Sequence, residues 1–377
     1  MEVSIVKFTV STKPLVSALN LGIVNSNISK FFQKSNVAEV SVSGNDLRIN
    51  LEASRIVTEL TLRGSNDDPN PETNIGVAVV DCSVLKTLMN TIETTEVSLE
   101  FLETCLIVTA GRSKFTLPKV LEDTDVNLRR PNLVDCGDPH DVDKSGWVYI
   151  RDHQMYAIGL SFTHAVYTKV YLGDDGTVIV GDFDNSIFTS SAKAGLGTTC
   201  LLPHTVINMF ASLPDGATIA SCGRSYVVSV CTDGFDMTTQ FEPYYESDAD
   251  TGSYKAEVIL GTMAVPEGAN PIVISPAEAL KILRQALILF TGSRKVITME
   301  VTDTDVIFRD ANTNGRIRLP VAPHDTFTLD FDLTFLIPAI SKYEDETVKI
   351  FPARQGDEIV GIILHSSEMT TVLAGVE

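Results

Sequence analysis

Three aspartate pairs stand two residues apart, Asp182 with Asp184, Asp303 with Asp305, and Asp330 with Asp332. Such pairs can bind a cation, but these fall in strand and turn contexts, where an aspartate ordinarily bonds its own backbone. The sequence holds no GxxxxGK[ST] loop, no HExxH and no GxSxG elbow. The cysteines Cys82, Cys105, Cys136, Cys200, Cys222 and Cys231 form no CxxC pair. Their scatter suits buried small hydrophobes better than a disulfide framework or a zinc site. The expectation is a protein without catalysis, metal or other cofactor.

Lys281 and Arg284 offer a different chemistry. They lie three apart, opposite Leu280, Leu283 and Leu287 in "AEALKILRQALILF", so both can point together into solvent, which on its own reads as a solvated helix face. The chain as a whole argues against bulk attraction to nucleic acid: 29 basic residues face 49 acidic ones, a net charge of −20. Any such role needs positive charge concentrated locally. No apolar run approaches the roughly 18 residues of a membrane span, and "MEVSIVKF" does not read as an export signal, so a cytoplasmic protein with no membrane partner is expected.

The elements that position these residues repeat. Leu85, Leu88, Met89 and Ile92 form an i, i+3, i+4, i+7 stripe, which predicts a short amphipathic helix. Two alternating strands follow, "EVSLEFL" and "CLIVTAGRSKFTL". Val206, Met209, Phe210 and Leu213 reproduce the stripe, as do Leu333, Leu336, Ile337 and Ile340, each with a strand pair behind it. A looser match of strand, helix and strands precedes each. The stretches 122–146 and 242–254, rich in Asp, Pro, Gly and Ser, read as linkers. The pattern predicts an α+β protein of three similar domains, 1–125, 146–242 and 254–377. In each, two helices lie on an antiparallel sheet with their polar faces wet.

"VSVSGNDLRINL", "GRSKFTLP", "SFTHAVYTKVYLG", "ALKILRQALILFTGSRKVITMEV" and "LDFDLTFLIPAISKYEDETVKI" occur in this order across the three repeats. Together they resemble the three-domain bacterial and phage sliding clamps, the processivity factors of replicative DNA polymerases. The resemblance implies a clamp-type ring of two identical chains encircling duplex DNA through a central channel. It also implies short peptides of a DNA polymerase and a clamp loader as partners. Two motifs depart from the family: the ending is "VLAGVE", and "GDFDNSIF" stands where the family has an Asp-Gly-His-Arg stretch. The altered ending points toward a phage-type clamp.

By the same resemblance the DNA-facing residues are Lys30, Lys34, Lys86, Arg151, His164, His204, Lys281, Arg284 and Lys342. The partner-peptide pocket is Leu172, Ile187, Pro243, Tyr244, Leu373 and Val376. The dimer contact is Phe115 and Leu117 against Ile288 and Leu289. Tyr167 and Tyr171 are expected to pack against the sheet rather than on DNA. The competing class is a non-enzymatic structural or interaction protein, such as a viral assembly component, whose wet helix faces bind protein.

Overall fold

The computed structural model describes residues 6–22, 37–53, 55–66, 75–120, 128–159, 168–182, 184–245, 254–289, 295–309, 316–320 and 326–376. In chain order they form β1 (Val6–Ser11), α1 (Thr12–Gly22), β2 (Val37–Ser43), β3 (Asp46–Ala53), β4 (Ile56–Arg63), β5 (Ser65–Asn66), β6 (Gly76–Asp81) and α2 (Cys82–Thr91). Then come β7 (Glu96–Phe101), β8 (Cys105–Ala110), β9 (Ser113–Pro118), β10 (His140–Asp141), α3 (Lys144–Tyr149), β11 (Lys169–Leu172), β12 (Val178–Asp182), β13 (Ile187–Ser191) and β14 (Cys200–Pro203). After α4 (His204–Ser212) follow β15 (Thr218–Cys222), β16 (Ser225–Cys231), β17 (Asp236–Phe241), α5 (Ala256–Met263), β18 (Ile272–Ile274), α6 (Pro276–Leu289), β19 (Val296–Val301) and β20 (Asp305–Arg309). The last elements are β21 (Arg316–Pro320), β22 (Phe327–Asp332), α7 (Leu333–Ser341), β23 (Val348–Gln355), β24 (Glu358–His365) and β25 (Thr370–Ala374).

The repeated stripes become helices for the reason the spacing gives. Leu85 and Met89, then Val206, Met209, Phe210 and Leu213, then Leu333, Leu336 and Ile340 are all buried. Asp81 and Asp332 cap their helices, accepting the N–H groups of Val84 at 2.9 Å and Thr334 at 2.8 Å. The hairpins β2–β3, β8–β9, β15–β16 and β23–β24 each turn on two residues of which the first is glycine, with φ between 58° and 63°. This left-handed backbone matches the strand twist and suits glycine.

The chain forms two compact units, one of 1–144 with 208–243 and the other of 145–207 with 244–377. The first holds a five-stranded sheet in the order β5-β1-β7-β8-β9 and an eight-stranded sheet in the order β10-β15-β16-β17-β4-β3-β2-β6. The eight strands come from two repeats, joined where β17 pairs β4 antiparallel from Asp236↔Thr61 to Phe241↔Ile56. On the buried face of that seam the hydroxyls of Thr58 and Thr239 bond each other at 2.9 Å, which satisfies two polar groups inside the core. Phe210 of α4 meets Phe241 edge-on at 5.6 Å, and the end of α1 at Gly22 lies against Leu60 and Thr58, so helices cover this face.

The second unit repeats the plan. Its sheets run β14-β11-β12-β13-β25-β24-β23-β18 and β21-β20-β19-β22. Here two repeats join where β13 pairs β25, from Ile187↔Leu373 to Ser190↔Thr370. One face carries Thr189 and Thr371, which take hydrogen bonds from Gln154 and share one with Tyr156. These two lie in the π-helical turn 150–154 and the 3₁₀ turn 155–157 that continue α3. Against the other face α5 packs Ile259 and Met263 on Ile179, Phe188, Leu201, Phe351, Ile363 and Val372. Gly181 opposite Phe188 makes this possible: a β-carbon there would collide with the Phe188 ring. As expected, Tyr171 packs on the sheet, stacked on Tyr254 at 5.4 Å, while Tyr167 lies outside the described residues.

Three expectations change. The described residues contain seven α-helices, because α5 adds one beyond two per repeat. Its "AEVILGTM" lacks a clean polar face, so periodicity does not mark it. Cys136 and Cys222 form a disulfide across an isolated antiparallel bridge, against the expectation of scattered free thiols. Lastly, the described part of the first linker is no loose connection. Residues 128–141 lie as a strap along the sheet face that carries Glu39, Glu52 and Gln240, and β10 at its end pairs with β15.

Candidate nucleic-acid interface and partner surface

Charge is partitioned between the helices and the rest of the chain. Apart from α5, the helical segments among the described residues, including the turns that extend α3, carry six basic residues: Lys13, Lys86, Lys144, Arg151, Lys281 and Arg284. They carry two acidic ones, Asp152 and Glu278, a surplus of four positive charges in a chain of net −20. The helices are therefore marked by a shortage of carboxylates more than by a wealth of lysine. Spacing and motif searches look for residues that are present, so this signal, and with it Lys13 on the exposed side of α1, escaped them.

In the first unit α1 and α2 are tied by reciprocal amide bonds between Asn20 and Asn90, 3.0 and 3.2 Å long. Asn90 also donates to the Lys86 carbonyl at 2.9 Å. Lys86 is half-buried, and burial lowers its pKa. Lys30 and Lys34 lie outside the described residues.

In the second unit Lys281 and Arg284 are exposed on α6, while Ala279, Leu283 and Ala286 are buried; Leu280 and Leu287 are half-buried. Arg151 is held by its neighbour: Nε lies 2.7 Å from Asp152 Oδ1, and Nη2 lies 3.0 Å from Oδ2. This pairing offsets much of its charge toward a phosphate. Lys342 caps the end of α7, and its carbonyl lies 2.8 Å from His153 Nδ1. His204 opens α4, and burial lowers its pKa, so it is neutral at pH 7. A neutral imidazole can donate to a phosphate oxygen but brings no charge. His164 lies outside the described residues.

A sheet edge and a helix end carry the residues of the expected dimer contact. Phe115 is half-buried and Leu117 buried on β9, an edge strand of the first unit, next to which no further strand is described. Ile288 stands 78% exposed near the end of α6 in the second unit, whose described edge strands include β21. Leu289 ends the same helix, and its side chain lies outside the described part. An isoleucine so exposed costs solvation until something covers it.

Of the expected pocket residues, Leu172, Ile187 and Leu373 share one face of the eight-stranded sheet in the second unit. They are 0%, 1% and 2% exposed. In this conformation they are core. Tyr244 is half-buried and bonded through its backbone to Leu201, and Val376 is 37% exposed. Pro243 is buried in the first unit, its carbonyl accepting from Arg55 at 3.0 Å.

Two of the aspartate pairs serve the backbone. Asp182 accepts from the N–H groups of Asp184 and Asn185, and Asp332 caps α7. Among the described residues no group of three or more His, Cys, Asp or Glu side chains is placed to hold a metal ion, and no helix is long and apolar enough to cross a membrane.

No protein-family model matches the sequence, and no curated protein matches it. The likeness is one of structure. The DNA polymerase III beta subunit from Thermotoga maritima superposes with a TM-score of 0.75 at 12% identity, over 99% of each chain. The C. crescentus beta sliding clamp gives 0.74 at 13% identity, over 99% of this chain and 100% of the other. The Helicobacter pylori beta clamp, solved with a DNA ligase peptide, gives 0.69 at 14%, over 98% and 100%. The chain has the sliding-clamp fold along nearly its whole length.

Proposed function

We propose that two copies of this chain close head to tail into a ring around duplex DNA and tether a replicative polymerase, without catalysing a reaction. The observation that carries this reading is the helical surplus of positive charge inside an acidic protein. A ring holds DNA by topology, so its lining needs only weak phosphate contact, and an acidic exterior keeps DNA from adhering elsewhere. In this reading Lys13, Lys86, Lys281 and Arg284 meet the phosphate backbone, and Lys30, Lys34, Arg151, His164, His204 and Lys342 lie nearby. Three domains, 1–125, 146–242 and 254–377, make up each half of the ring.

Ring closure joins β9 of one copy to the α6 and β21 region of the other, with Phe115 and Leu117 covering Ile288 and Leu289. Burying one such side chain contributes about 1.5–3 kcal/mol. Partner proteins, a polymerase and a clamp loader among them, dock short peptides near Tyr244 and Val376. Such peptides meet Tyr244 and Val376, while Leu172, Ile187 and Leu373 lie on the sheet face opposite Tyr244 and stay in the core. The bound ligase peptide of the Helicobacter clamp supports peptide docking on this fold.

Primer extension on singly primed circular DNA, with the cognate polymerase and loader, tests the reading. Products should lengthen by an order of magnitude or more when the protein is added. Unchanged product length in a reaction whose polymerase and loader work with a known clamp would refute it.

A further inference from the structure

The strap 128–141 crosses the β4–β17 seam of the first unit and is fastened on both sides. On the β2–β3 side Arg129 pairs with Glu52, its N–H also donating to that carboxylate at 2.9 Å, and Arg130 Nη2 lies 3.4 Å from Glu39. Asn132 N–H donates to Gln240 on β17 at 2.8 Å. Gly137 N–H donates to the Ser221 carbonyl at 2.8 Å, beside the disulfide from Cys136 to Cys222 on β15. Beneath the strap lies a cavity of about 310 Å³ between Arg129, Arg130 and Asn132 above and Val57, Ser225 and Gln240 below. Both strap arginines already face carboxylates, and Arg55, which also lines the cavity, faces Glu242, so the cavity's chemistry does not call for an anion.

We propose that Cys136–Cys222 is a thiol–disulfide exchange site that latches this strap over the seam, opened by a dithiol reductant and closed by a disulfide oxidant. The placement supports this. Asn132 to Asp135 and Gly137 to His140 are exposed on either side of half-buried Cys136, whereas Cys222 is buried in the sheet. An incoming thiolate therefore reaches the Cys136 sulfur. It forms a mixed disulfide there, breaks the Cys136–Cys222 bond and releases Cys222 as a thiolate that takes up a proton. The second thiol of the reductant then displaces Cys136, which is protonated in turn, and leaves the reductant as a cyclic disulfide. Two electrons and two protons pass to the protein.

With the bond open, the stretch between Asn132 and β10 keeps, among its described contacts to the sheet, only the isolated backbone bridge at Cys136 with its Gly137–Ser221 hydrogen bond. The closed bond spans 86 residues of sequence, a long loop, so opening it releases much unfolded-state entropy. The other four cysteines, Cys82, Cys105, Cys200 and Cys231, are free. Cys231 is exposed, and its hydrogen bond with Asp236 raises its pKa. It serves as a control.

The test is thiol titration of the denatured full chain combined with hydrogen exchange of the folded chain, before and after dithiothreitol. Four thiols before reduction and six after are expected. Amides of 132–141 should exchange about tenfold faster or more once reduced, and the unfolding midpoint should fall by roughly 5–15 °C. Cys136→Ser should reproduce the reduced state without reductant, and Cys231→Ser should not. Six thiols in the air-oxidised protein, or unchanged exchange at 132–141 after full reduction, overturns the inference.

Discussion

Asn20 on α1 and Asn90 on α2 donate to each other's side-chain carbonyls at 3.0 and 3.2 Å, which binds two helices together without introducing a charge. Neither helix carries an acid. Asn20→Asp removes one donor and places a carboxylate on the proposed DNA-facing layer. Stability should fall by only about 0.5–1 kcal/mol, since the pair is exposed. Retention on DNA at low salt should weaken clearly. Thermal unfolding and DNA retention, measured side by side, check both parts.

Lys281→Glu with Arg284→Glu reverses two exposed charges on α6. Processive synthesis or DNA retention should drop several-fold at about 50 mM salt while dimer mass and unfolding midpoint hold. The gap should narrow by about 300 mM, because added ions screen the same contacts. Equal retention of the variant and the parent protein at low salt removes these residues from the interface.

Ile288→Asp separates folding from assembly. The side chain is 78% exposed, so its loss should change the stability of the fold by no more than about 0.5 kcal/mol. If it is covered in a dimer, a buried unpaired carboxylate should raise the dissociation constant by at least about a hundredfold. Sedimentation at micromolar concentration reads this directly: a dimer for the parent protein, a monomer for the variant, with unchanged thermal unfolding.

Acid should loosen the second unit through two histidines. Burial lowers the pKa of His204, and burial followed by the charge of Lys349 lowers that of His365, both from an ordinary 6.5. The unfolded chain then binds the proton more readily than the folded one. The stability they contribute is full above pH 6.5 and is lost as pH falls from there through the folded-state values. His204→Gln should therefore lose less of its unfolding midpoint than the parent protein between pH 7.5 and 5.5. Identical pH slopes would show that His204 is not shielded.

Val376→Glu tests the partner surface without touching the core. Because Val376 is 37% exposed while Leu373 is 2% exposed, the substitution should leave the fold intact. Affinity for the cognate polymerase's clamp-binding peptide should fall about tenfold or more. Calorimetry with that peptide measures it.

Much of this architecture was legible because helix stripes and strand alternation report which side of an element is buried. Leu85 with Met89, Phe210 with Leu213, and Leu336 with Ile340 declared the three helix faces, and all six are in the core. The pairings β4–β17 and β13–β25, which fuse neighbouring repeats, were not legible, since nothing in a strand's own pattern names its partner. The Cys136–Cys222 bond was hidden for the same reason: its halves lie 86 residues apart and meet only through the sheet. At the candidate sites, residue type predicted exposure where the side chain is charged, as at Lys281 and Arg284. It failed to show that Leu172, Ile187 and Leu373 are sealed inside, because a leucine or isoleucine lines a groove and fills a core equally well.

If DNA is held by encirclement, retention must depend on the topology of the DNA. Protein loaded onto nicked circular plasmid is passed through a gel-filtration column at about 150 mM salt, before and after one cut linearises the plasmid. Protein should travel with the circle and be lost from the linear form, which offers ends to slide from. Equal retention on circular and linear DNA, or none on the circle despite loading that retains a known clamp, contradicts encirclement.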